Sequence, residues 1–185
     1  MLHELMTHYS GAKIKAVFAG AGNYILRSLE IPGASSFVDS FVVPYSNESK
    51  ERYLKVHHPL VEGALNVLKH YPAVSPEVAI TLHEALCASG GEALPVTISA
   101  ALETTRERKG PNQAFIVFGH ASDYETWHLS LSKASEAERS KASEIENKRF
   151  VQDQLISKTA LSLAFEIPSV IRTELEDGGY LRRIR

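Results

Sequence analysis

Lys13-Ile14-Lys15-Ala16-Val17-Phe18-Ala19 runs into Gly20-Ala21-Gly22, and the reading of this stretch decides the fold. Val, Ile and Phe give its first part the composition of a strand, and the two glycines end it in a turn. Asn23 to Leu29 then suits a helix that stops before Pro32-Gly33. Phe37 to Val43, again rich in Val and Phe, predicts a second strand. A strand, a turn, a helix and a strand in that order open a layered α/β domain.

The rest of the chain continues in the same style. Residues 2–10 predict a short helix ahead of the first strand. Asn47 is a candidate N-cap for a helix through Leu54, since its side chain can accept from an unpaired backbone N–H. Leu60, Val61, Ala64, Leu65 and Leu68 recur at helical spacing. Ser75-Pro76-Glu77 combines a capping hydroxyl, a proline suited to the first turn and an acid at the positive end of the dipole. Val78, Leu82, Ala85 and Leu86 give that helix its buried face, and Gly90-Gly91 ends it.

Strands are predicted at Leu94–Ser99, Gln113–Gly119 and Tyr124–Leu131. Phe115-Ile116-Val117-Phe118 is apolar without a break, the pattern of a strand covered on both faces. Trp127, Leu129 and Leu131 alternate with Thr126, His128 and Ser130, which predicts one solvated face. Residues 132–149 read as a charged helix or linker, and Val151, Leu155, Thr159 and Leu163 place a last long helix on the sheet. The expected organisation is a single domain over residues 1–165 with residues 166–185 as a tail, and no internal repeat.

A formal net charge of −2 argues against a basic nucleic-acid surface. No apolar stretch approaches the roughly 20 residues that span a bilayer, so no membrane partner is expected. Cys87 is the single cysteine, which excludes an intrachain disulfide and points to a reducing, cytoplasmic setting. The eight histidines show no metal spacing, and His83-Glu84 lacks the second histidine of a zinc helix, so no metal site is expected.

Three segments carry a more specific signal: Pro32-Gly33-Ala34-Ser35-Ser36, Val43-Pro44-Tyr45-Ser46-Asn47-Glu48-Ser49-Lys50, and Ala73-Val74-Ser75 at the entry to the next helix. In this order and spacing they resemble the CinA C-terminal domain family, over about residues 13–164. Ile98-Ser99-Ala100-Ala101-Leu102-Glu103-Thr104-Thr105-Arg106 with Gly110 is similar to the eukaryotic branch of that family, of which this chain would be a divergent member. The resemblance implies a three-layer α/β/α sandwich with a mixed sheet, a homo-oligomer, and hydrolysis of the amide of nicotinamide mononucleotide without metal or cofactor. In the active enzymes of the family a serine in a Glu-Ser-Cys-Thr-Gly-Gly stretch attacks the carboxamide. The lysine of Tyr-Ser-Asn-x-x-Lys helps remove its proton, the usual activation of a weak alcohol nucleophile.

Here the corresponding stretch is Val17-Phe18-Ala19-Gly20-Ala21-Gly22, and from Lys13 to Arg27 there is no Ser, Thr or Cys. A shift of register by one or two residues does not restore the nucleophile. Lys50 stands where the base stands and Tyr45 lies in the same segment, so these two are the catalytic candidates. Ser46 is four residues before Lys50 and shares its face if the turn is helical. A solvated lysine and a core tyrosine are the plainer alternative.

The ligand-binding candidates are Gly20, Gly22 and Asn23, Ser46, Ser99, Thr104 and Arg149. Gly20-Ala21-Gly22 precedes a helix, where free N–H groups can hold a phosphate, although Ile25 replaces the third glycine of a dinucleotide fingerprint. Two glycines at a strand end can equally be a tight turn. Ser99 matches a family position that contacts substrate, and it can also be a serine bonded to backbone. Arg106, Arg108 and Lys109 offer phosphate contacts or a charged surface loop. Arg149 aligns with the first arginine of the family's Gly-Asp-Arg motif, and the second is replaced near Asp153-Gln154. Cys87 reads as a small buried residue of a helix.

Three functions follow. The leading one is a divergent or inactive amidase homologue that binds a nucleotide-like small molecule in the ancestral pocket. The alternatives are an active amidohydrolase with a replaced nucleophile and a structural oligomerisation module.

Overall fold

β1 spans Ile14–Ala19 and is buried along its whole length, because it lies inside the sheet with helices over both faces. The computed structural model describes residues 13–30, 32–102, 112–131, 145–166 and 170–185. The predicted helix over residues 2–10 and the candidates Thr104, Arg106, Arg108 and Lys109 lie outside them.

After β1 come α1 (Asn23–Leu26), two 3₁₀ turns at Arg27–Glu30 and Ala34–Ser36, and β2 (Val38–Val42). The helix expected to reach Leu29 thus tightens into a 3₁₀ turn after its first α turn. Three helices follow, α2 (Asn47–His57), α3 (Val61–His70) and α4 (Pro76–Ala88). The chain then returns through β3 (Leu94–Ala101), β4 (Gln113–His120) and β5 (Asp123–Ser130), α5 (Ile145–Ala164), α6 (Val170–Asp177) and β6 (Leu181–Arg183).

The strands form one sheet in the order β2-β1-β3-β4-β5-β6. β1 is parallel to β2 and β3, and the pairs from β3 to β6 are antiparallel. One face carries Ile14, Ala16, Phe18, Ile98 and Ile116 against Ile156, Ala160 and Leu161 of α5. The other carries Val17 and Ala19 against Leu54 of α2 and Val78, Leu82 and Leu86 of α4. Each side chain of this size that leaves water contributes about 1.5–3 kcal/mol, so the two apolar layers hold the helices in place. The result is the expected α/β/α sandwich with a mixed sheet.

Local chemistry explains most boundaries. Ser75 caps α4 by accepting from the Val78 N–H, and Pro76 fills the first turn, as the sequence predicts. The cap of α2 is Ser46 rather than Asn47: its Oγ accepts from the Ser49 N–H at 3.1 Å, and the helix runs on to His57. Ser and Asn are comparable caps, so sequence alone does not choose between neighbours.

Two further expectations are corrected. The face of β5 read as solvated is covered, with Thr126 fully buried and His128 half-buried, because α4 spans β3, β4 and part of β5. Residues 166–185, read as a tail, contain α6 and β6. Gly178-Gly179 turns the chain between them, and Leu181 is buried beside β5.

Candidate ligand-binding site

The glycine turn is an anion cradle that the chain itself fills. Gly22 leaves β1 with φ of 114° and serves as the N-cap of α1 without a side-chain cap bond. The N–H groups of Gly22, Asn23 and Tyr24 donate instead to the Asp153 carboxylate of α5, at 2.5, 3.2 and 2.8 Å. Asp153 is 6% exposed and its bond to the Gly22 N–H is buried, so the carboxylate is largely removed from water and its bonds are charge-assisted. Arg149, half-buried, lies one helical turn before Asp153 on the same side of α5. Gly22 and Asn23 are therefore brought together around an internal carboxylate, and Arg149 has no bond to it among the described residues.

Ser99, Lys50 and Ser46 belong to the opposite face. The sheet register there makes one row across five strands: Ala19 is opposite Ser99, Ser99 opposite Phe115, Phe115 opposite His128, and His128 opposite Arg182. Ser99 is fully buried, and its hydroxyl has no partner among the described residues. Its only row neighbour on the β1 side is the methyl of Ala19.

Lys50 is 4% exposed and its Nζ donates to the Ala73 carbonyl at 3.0 Å, tying α2 to the loop before α4. Burial pulls its amine below the usual lysine range, the direction a base near neutral pH needs. Tyr45, by contrast, is 68% exposed, and Ser46 is committed to the helix cap. Tyr53, one turn after Lys50, buries a hydroxyl without a partner among the described residues, which pushes its ionisation up. The sequence offered no sign of this buried hydroxyl, since a tyrosine on an apolar helix face reads as core.

Beneath the row, His83 of α4 is fully buried. Its Nε2–H donates to the Gly119 carbonyl at 2.8 Å, so Nδ1 is the acceptor and receives the Thr97 hydroxyl at 3.2 Å. Desolvation, with Lys15 and His120 nearby, pushes His83 down to about 4 despite the Gly119 carbonyl. The unfolded chain protonates this residue near 6.5, so below that pH unfolding takes up a proton. Stability is complete above pH 6.5 and falls by about 3 kcal/mol as pH drops towards 4. Urea unfolding between these pH values should show that slope in the native chain and a flatter one in His83→Gln. Equal slopes would show that His83 is not held neutral.

Cys87 donates to the same Gly119 carbonyl at 3.8 Å, and burial raises its thiol, so it stays protonated. His58 donates to Glu84 at 3.2 Å and accepts from the Leu60 N–H at 3.0 Å, a link between α2 and α4. Among the described residues no three His, Cys, Asp or Glu side chains gather as a metal site. No helix among them is long and apolar enough to cross a membrane.

The family model of the CinA C-terminal domain matches residues 19–149. The chain belongs to the CinA C-terminal domain family. A comparison with curated proteins gives no match. Among solved structures, the competence or damage-inducible protein from Enterobacter asburiae superposes with a TM-score of 0.61 at 14% identity, over 90% of this chain and 94% of that one. The competence/damage inducible protein CihA from Agrobacterium tumefaciens gives 0.58 at 16% identity, over 84% and 92%. These likenesses establish the fold.

Proposed function

We propose that this chain is a CinA-type domain that binds a nucleotide-like small molecule and has lost the amide hydrolysis associated with the family. The observation that carries the reading is Ala19 opposite Ser99, in a stretch with no Ser, Thr or Cys from Lys13 to Arg27. A methyl group cannot attack a carboxamide, and a lysine base without its nucleophile activates nothing. Ser99 and Lys50 support the ligand half, because a buried unpartnered hydroxyl and a desolvated amine are polar groups held ready at some energetic cost.

Purified protein incubated with nicotinamide mononucleotide should release no ammonia, while the nucleotide raises the thermal midpoint. Ammonia that disappears in Lys50→Ala would mean that another nucleophile has taken over and would overturn the reading. No ammonia and no stabilisation would remove the ligand half and favour a structural module.

Self-association is a companion reading. Tyr45, Val56 and Leu60, at the two ends of α2, are 68%, 74% and 73% exposed, which suits contact with a second copy. A cytoplasmic setting belongs to the same proposal and rests on the single cysteine.

A further inference from the structure

We infer that a second ligand site lies beyond Ser99, at the β4–β5–β6 edge, and takes a flat-ringed organic anion. A cavity of about 490 Å³ opens there, within the range of small-molecule pockets. Its floor is the ring pair Phe115 and His128, with centroids 5.0 Å apart and planes tilted by 32°. Pro76 and Ile184 supply apolar walls, the second 47% exposed, so the cavity has an open side.

The polar groups at this cavity favour negative charge. Arg183 also lines it but is held by Glu125 at 3.0 Å. Arg182 stands directly opposite His128 in the sheet, and its guanidinium has no partner among the described residues. Among the described residues no carboxylate lines the cavity. His128 and Gln113 bond each other at 3.1 Å, which fixes both side chains at the cavity wall. Pro76 is the first residue of α4, a 13-residue helix, so its positive end lies at the same rim. A free guanidinium is a planar fork suited to a carboxylate or a phosphate, and the ring pair is suited to a flat ring.

Neither Lys50 nor Ser99 lines this cavity, and the site does not depend on the ligand proposed for those residues. Calorimetric titration with adenosine monophosphate and with benzoate separates the two anion types, and adenosine and inorganic phosphate report the ring and the charge alone. At least one of the two ringed anions should bind about tenfold or more tightly than adenosine and than inorganic phosphate. Arg182→Gln should remove that tenfold preference over adenosine, with the ligand-free thermal midpoint unchanged, and the His128 ring signals should move in the native chain on binding. Binding that is unchanged in Arg182→Gln with still His128 signals would place the probe elsewhere on the protein and overturn the inference. So would failure of both ringed anions to bind at millimolar concentration, or equal binding of inorganic phosphate.

Discussion

Gly20→Ala is expected to destabilise the protein by about 2–5 kcal/mol. Gly20 has φ of 103°, a backbone conformation that side chains rarely adopt. A Cβ there would also overlap the Ala100 carbonyl oxygen. That carbonyl belongs to β3 in the middle of the sheet, paired on one side with β1 and on the other with β4, so it cannot withdraw. Left-handed strain costs roughly 1–2 kcal/mol and overpacking roughly 1–3, and here they add at one atom. Urea unfolding of the two proteins measures the difference. A shift below about 1 kcal/mol would show that β1 and β3 can part locally, contrary to the packing described.

Asp153→Ala is expected to cost about 3–5 kcal/mol, by a different route. The carboxylate satisfies three N–H groups at once, and the Gly22 donor is buried. Removing it strands those donors, each of which costs roughly 1–3 kcal/mol unless water reaches it. Asp153→Asn keeps an acceptor oxygen but loses the charge, so it should fall about midway. The order native, Asn, Ala in unfolding free energy is the expected result. If Asn and Ala were equally harmful, the charge rather than the hydrogen-bond count would be what matters.

What the sequence disclosed was whatever depends on neighbours along the chain. The start of α4 was legible because cap, proline and acid occupy Ser75, Pro76 and Glu77 in sequence. The alternation into β5 was legible too, but not which of its faces is covered, since that depends on how far α4 reaches across the sheet. β6 was hidden because Leu181-Arg182-Arg183 has no strand pattern of its own and exists only by pairing with β5. With β6 went Arg182 and the row that ends on it. The missing nucleophile could be read directly, since the absence of Ser, Thr and Cys from a stretch needs no geometry. Asp153 looked like the loss of an arginine. Only the fold shows that it brings an anion to the place where the glycine turn would otherwise hold one.

The bonds of Asp153 also impose an order of events on the growing chain. The turn at Gly22 is closed by a residue 131 positions later, so a chain still being synthesised carries β1 and α1 with their amides open to water. β1, β2 and the first three long helices can meet before that, but the turn locks only when α5 has emerged and docked. A turn made early is therefore completed only after five of the six strands have been made, and exchange of its three amides with solvent is a timer for the docking of α5.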